Sequence, residues 1–275
     1  ARSDLRQAMQ AVYKVGAIQA DRKPVVGSAV LVAPGQLITN CHTTREASDI
    51  RILHPQGELA AKVGKSDERR DLCLLLVPEL RGPIPERVRS ADLKEGAAVT
   101  AMGFGMGFNR AIREGTITAL FAFEGGFVLR TSAEFPRGAS GGGLFDDAGR
   151  LVGVLTFRGS GGDALNYALP IEWVEQLLAE HDAQVRPAAP TPAFWEDDAP
   201  GQPPFLRAAW LMQAQRWSEL RTLADEWVLL EPDNAHAWFA LGRAECELGL
   251  AMNAVIALRN AVRVRDDHAE AWYWL

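Results

Sequence analysis

Three short segments of the chain hold residues whose types suit acyl transfer. His42 follows the run Leu37-Ile38-Thr39-Asn40-Cys41, where a buried strand would hold an imidazole rigidly. Asp71 stands at the entry of Leu72-Cys73-Leu74-Leu75-Leu76, a second apolar run. Ser140 lies in the glycine-rich turn Gly138-Ala139-Ser140-Gly141-Gly142-Gly143, just before Leu144-Phe145. Acyl transfer needs a hydroxyl nucleophile, a neutral imidazole to take its proton and a carboxylate to orient the ring and stabilise the imidazolium. It also needs donors for the oxyanion, and the backbone N–H groups of Gly138 and Ser140 could supply them. Glycines beside the serine permit the backbone angles of such a turn and leave room for substrate. Singly, His42 reads as a structural histidine, Asp71 as a strand-start acid and Ser140 as a loop hydroxyl. In this order, each against its own strand, they favour catalysis.

The elements that must position these residues are strands. Between Ala11 and Phe157 short apolar runs are separated by turn-forming residues: 12–18, 25–32, 36–40, 50–53, 72–77, 98–102, 116–123, 127–131 and 151–157. Strands at that spacing predict a barrel or sandwich. Gly103-Phe104-Gly105-Met106-Gly107 lacks phosphate-loop spacing and reads as a barrel turn. Pro170 opens a helical pattern running to about His181.

With this order of histidine, aspartate and serine, the segment from Gly27 to Glu180 resembles the trypsin-like serine peptidases, most closely their bacterial HtrA-like branch. Thr131-Ser132-Ala133 before the serine turn and Asn166-Tyr167-Ala168-Leu169-Pro170 after it carry the likeness further. The resemblance implies a mainly β fold of two six-stranded antiparallel barrels, with the active site in the cleft between them. It implies His42 as general base, Asp71 as orienting acid, Ser140 as nucleophile and Gly138 with Ser140 as oxyanion donors. Glu134, Phe135 and Thr156 fall at its specificity pocket. Glu134 in the pocket would favour basic P1 residues. A loop path like that of HtrA relatives would turn it outward and favour apolar ones, which is the reading preferred here. Ala139 stands where digestive relatives have the aspartate that pairs with a newly cut N-terminus, so that activation device is absent.

The chain has 275 residues, 48% apolar and 23% charged, which suits one large or two smaller globular domains. A net charge of -6 gives no basic footprint for nucleic acid. No apolar run is long enough to cross a bilayer. No cofactor or metal is expected, because the three cysteines lack metal-ligand spacing and His54, His181, His236 and His268 lack companions. A fold that joins His42 to Asp71 also brings Cys41 near Cys73. A disulfide and two small buried apolar residues are both open readings. A periplasmic or secreted location is expected, with the cytoplasm kept as an alternative.

Domain limits follow from composition: residues 1–183 as the peptidase-like domain, 184–204 as a Pro/Ala-rich linker and 205–275 as a helical repeat segment. Ala237-Trp238 recurs as Ala271-Trp272 with a spacing of 34 residues, the period of tetratricopeptide repeats. Trp238, Leu241, Gly242, Leu248, Gly249, Ala254, Leu258 and Ala261 resemble that family's packing pattern, while the unit before them is degenerate. The expected function is a serine endopeptidase acting on protein or peptide substrates, with repeats that recruit a protein partner. The alternative is a protease-like scaffold that has lost activity and works through its repeats.

Overall fold

The computed structural model describes residues 2–106, 109–158, 165–180 and 191–275. Gly107, His181 and residues 184–190 of the expected linker lie outside them. The chain divides into two compact units, Ala1–Ala193 and Phe194–Leu275.

The first unit opens with α1 (Arg2–Gln10) and then forms β1 (Val12–Gln19), β2 (Pro24–Ala33) and β3 (Gln36–Thr39). A short helix α2 (Cys41–Thr44) precedes β4 (Ala47–His54), β5 (Gly57–Ala60), β6 (Lys62–Asp67) and β7 (Leu72–Leu76). These strands make one antiparallel sheet in the order β5-β4-β1-β2-β3-β7-β6. The trypsin-like double-barrel fold is present, but the expectation of six strands in each closed barrel is corrected for this sheet, which has seven strands and forms a half-barrel. Its two edges are β5 and β6, which only Ala61 separates along the chain. β5, one of the two edge strands, is four residues long and largely exposed.

A second sheet does close, as a six-stranded barrel ordered β10-β13-β12-β11-β8-β9. Its strands are β8 (Ala98–Phe104), β9 (Arg110–Phe123), β10 (Gly126–Thr131), β11 (Gly143–Phe145), β12 (Leu151–Arg158) and β13 (Asn166–Pro170). Val99, Ala101, Ile117, Leu129, Leu144, Val152, Leu155 and Ala168 fill it. β9 begins six residues before the apolar run at Thr116, because Arg110–Gly115, which carries three charged residues, is held by pairing with β8. β2 is buried at six consecutive residues, Gly27 to Val32, which tells of cover on both faces.

α3 (Ile171–Ala179) follows β13, starting after Pro170 as expected. The Lys65 ammonium donates to the carbonyls of Leu178 and Glu180 at its C-terminus, where cations are favoured.

The second unit is helical: α4 (Pro204–Gln213), α5 (Trp217–Leu230), α6 (Ala235–Glu247), α7 (Ala251–Val264) and α8 (Ala269–Trp274). Its geometry repeats every 34 residues. The Trp238 indole donates to Pro232 O, and the Trp272 indole donates to Asp266 O. Gln215 and Gly249 both have positive φ at the turns before α5 and α7. Gly242 lets α6 approach α7, since a Cβ there would meet Leu258 Cγ at 2.6 Å.

Candidate active site

His42 sits in the one-turn helix α2, fastened to the segment before β7. Asn40 Nδ2 and Cys41 N both donate to Asp71 O, at 3.0 and 3.3 Å. Asp71 adopts φ 58°, a left-handed conformation that aspartate tolerates better than most residues. This turn aims the carboxylate back at α2. Asp71 Oδ1 accepts from His42 N at 2.9 Å, and Oδ2 lies 2.7 Å from His42 Nδ1. Asp71 is fully buried, while the His42 side chain keeps 25% of its exposure. A neutral ring whose Nδ1–H donates a hydrogen bond to this carboxylate has its basic lone pair on Nε2.

The Cys41–Cys73 disulfide brackets the same pair and links α2 to β7. The Glu68 carboxylate lies with the two sulfurs in a group whose ligand atoms are within 4.8 Å of one another. Sulfurs bonded to each other are not thiolate ligands, so this group fits no metal in its oxidised form.

Ser140 belongs to the loop from β10 to β11. Two tight turns shape that loop, with Ala139 N donating to Pro136 O and Gly142 N to Ala139 O. Gly138 at φ 92° and Gly141 at φ 84° occupy a region that favours glycine. No acceptor among the described residues takes the N–H of Gly138 or Ser140. Donors left open at a bend are a potential anion site.

Thr156 on β12 connects the two halves. Its hydroxyl donates to Asp71 Oδ2 at 3.1 Å, and its carbonyl accepts from Ser140 Oγ at 2.8 Å. His42, Asp71 and Ser140 are thereby gathered through one residue, with the Ser140 hydroxyl turned toward the Thr156 carbonyl.

The residues expected at the specificity pocket are placed differently from one another. Glu134 is exposed. Phe135 is 3% exposed and packs in the core of the closed barrel. The Thr156 side chain is buried, with its hydroxyl committed to Asp71.

Residues 27–154 match the family described as trypsin-like peptidase domain. The chain carries a trypsin-like peptidase domain. The peptidase domain is 31% identical over 156 residues to a probable periplasmic serine endoprotease, DegP-like, of Pseudomonas fluorescens. That match covers 54% of this chain and 33% of the relative. Protease Do-like 1, chloroplastic, of Arabidopsis thaliana is 34% identical over 159 residues, covering 52% of this chain and 36% of its own length. The chain thus spans about a third of the curated relatives it matches. Among solved structures, the HtrA-type protease AlgW with tripeptide superposes with a TM-score of 0.59 at 27% identity, covering 64% of this chain and 62% of that one. The active form of the Rv3671c protease from M. tuberculosis shares the fold, with a TM-score of 0.60 at 22% identity over 67% of this chain and 86% of its own.

Sequence reasoning assigned no role to Ser28, Asn40 or the Thr156 hydroxyl. A signal for Ser28 was present: a serine inside the buried run Gly27-Ser28-Ala29-Val30-Leu31 must find hydrogen-bond partners.

Proposed function

We propose that the peptidase domain is a serine endopeptidase with His42, Asp71 and Ser140 as its triad, acting on protein or peptide substrates through an acyl-enzyme. The observation that carries this reading is the His42–Asp71 contact of 2.7 Å on a fully buried carboxylate. Ser140 Oγ adds to the scissile carbonyl while His42 Nε2 takes its proton. The Gly138 and Ser140 N–H groups meet the oxyanion, and the same imidazole returns the proton to the leaving amine. Water, deprotonated by His42, then releases the acyl group. No cofactor is needed for any of these steps.

The 34-residue recurrence of turns and indole bonds supports reading α4 to α8 as tetratricopeptide-like repeats that recruit a protein partner. The Cys41–Cys73 bond and the periplasmic relatives support an oxidising compartment outside the cytoplasm.

The second reading, an inactive scaffold, draws on the bond from Ser140 Oγ to Thr156 O, which the hydroxyl must leave before it can give its proton to His42. Labelling with a fluorophosphonate probe separates the two. Covalent modification that disappears in Ser140→Ala and in His42→Ala is the result expected of the enzyme. A folded wild-type protein that does not label would leave only the scaffold.

A further inference from the structure

Ser28 on β2 makes four hydrogen bonds, two of them to the serine loop, although it belongs to the other sheet. Its hydroxyl donates to Gly138 O at 2.9 Å and accepts from Phe104 N at 2.8 Å. Its N–H donates to Ser140 O at 2.8 Å, and its carbonyl accepts from Thr39 Oγ1 at 2.7 Å. The side chain is completely buried, with the hydroxyl's donor and one acceptor position both used. The loop also lies directly on β2. A Cβ at Gly141 would come within 2.1 Å of Ser28 O and 2.4 Å of Thr39 Oγ1.

These contacts grip the loop at two residues, Gly138 and Ser140, whose N–H groups are the proposed oxyanion donors. The carbonyl of Gly138 belongs to the peptide that leads to Ala139, so tethering it restricts rotation about the backbone between the two donors. Ala139 N is engaged with Pro136 O, which leaves the Gly138 carbonyl as the point at which the first sheet can set that orientation. Phe104 N ties the same hydroxyl to the end of β8, whose Gly103 lies under Ala139.

We infer that Ser28 is a positioning residue, whose hydroxyl sets the donor geometry of the oxyanion site by bridging the Gly138 carbonyl and the Phe104 amide. This rests on the proposed peptidase activity. It assigns to a buried side chain of β2 a function in the rate of acyl transfer rather than in substrate binding. Transition-state stabilisation depends on donors already aimed at the developing charge, so a small rotation of that loop lowers kcat while substrate affinity is retained.

The test uses the full chain, a fluorogenic peptide that the wild type cleaves, and a peptide boronate of the same sequence, which forms a tetrahedral adduct on serine. For folded Ser28→Ala, kcat should fall about 10- to 100-fold with KM within about twofold, and boronate Ki should rise by a similar factor. Should that variant not fold, Ser28→Cys, which keeps the volume with a weak thiol donor, is read by the same measurements. The inference is overturned if a folded variant keeps kcat within about threefold of wild type, or if kcat falls while boronate Ki is unchanged. Loss of thermal stability alone, with kcat and Ki intact, would likewise reduce Ser28 to a structural residue. A wild type that neither cleaves the peptide nor reacts with the fluorophosphonate would defeat the peptidase reading itself, a result distinct from any of these.

Discussion

The hydroxyl of Thr156 donates to the carboxylate of Asp71, joining the closed barrel to the open sheet at a point shut off from water. The oxygen it reaches, Oδ2, is also the one that faces His42 Nδ1. Removing this donor leaves a buried carboxylate with one partner fewer, a loss of about 1.5–3 kcal/mol for a bond to a charged group. Thr156→Val should therefore lower kcat about tenfold and reduce stability. Thr156→Ser, which keeps the hydroxyl, should recover most of the rate. Steady-state kinetics on both variants decide it, and equal kcat for Thr156→Val and wild type would refute the role.

Arg70 precedes Asp71 and spans to the closed barrel and α3. Its guanidinium donates to Glu124 Oε2, Glu124 O and Gln176 Oε1, and lies 4.9 Å from the centre of the Trp173 ring. A lysine keeps the charge but not the planar fork or the stacking. Arg70→Lys is expected to cost about 1–2 kcal/mol, read as a lower urea midpoint at unchanged slope. A midpoint equal to that of wild type would show the clamp to be dispensable.

The Cys41–Cys73 bond closes a loop with a sequence separation of 32 residues. Constraining an unfolded loop of that size stabilises the folded state by about 3–4 kcal/mol in the chain-entropy treatment. The Cys41→Ser, Cys73→Ser double variant should lose stability on that scale in denaturant titrations. Both cysteines are fully buried, so the native disulfide should resist dithiothreitol until urea opens the fold. Rapid reduction of the native protein would contradict that burial.

Burial pushes the Tyr167 phenol up to about 12. Phe157 stacks on it at 4.6 Å. The native state holds this proton to higher pH than the unfolded chain does, so stability is complete below the ordinary tyrosine value of about 10. It falls as pH rises from there through about 12. Tyr167→Phe should flatten this decline. Unfolding free energies at pH 9, 10 and 11 for both proteins provide the comparison, and parallel profiles would exclude Tyr167 as the source.

Gly242 in α6 sets two effects against each other. Alanine favours an exposed helix by about 1 kcal/mol over glycine. Here the added carbon would meet Leu258 Cγ at 2.6 Å, and over-packing of that kind costs about 1–3 kcal/mol. The contact is predicted to win, so Gly242→Ala should lower the melting temperature of the helical unit, whereas a rise would mean that α7 yields easily.

Much of this protein was legible before its structure. The mainly β character came from the spacing of apolar runs, the start of α3 from Pro170, and the 34-residue period from Trp238 and Trp272. His42, Asp71 and Ser140 stood out because few residue types can perform acyl transfer. These are local signals, carried by residue type and by distances along the chain.

Other features depend on residues far apart in sequence. β9 begins at Arg110 because β8 pairs with it, although segment 110–115, with three charged residues, lies outside the apolar run. The first sheet stays open, with β5 and β6 as its unpaired edges, although only one residue separates them along the chain. Thr156, 85 residues beyond Asp71, acquires its role only when the closed barrel delivers its hydroxyl to that carboxylate. Ser28 likewise meets Gly138 across 110 residues. Sequence alone determined which groups could react and which segments could form strands or helices. Tertiary structure decided which buried donor met which acceptor, because burial makes those pairings obligatory and only the folded chain brings the partners together.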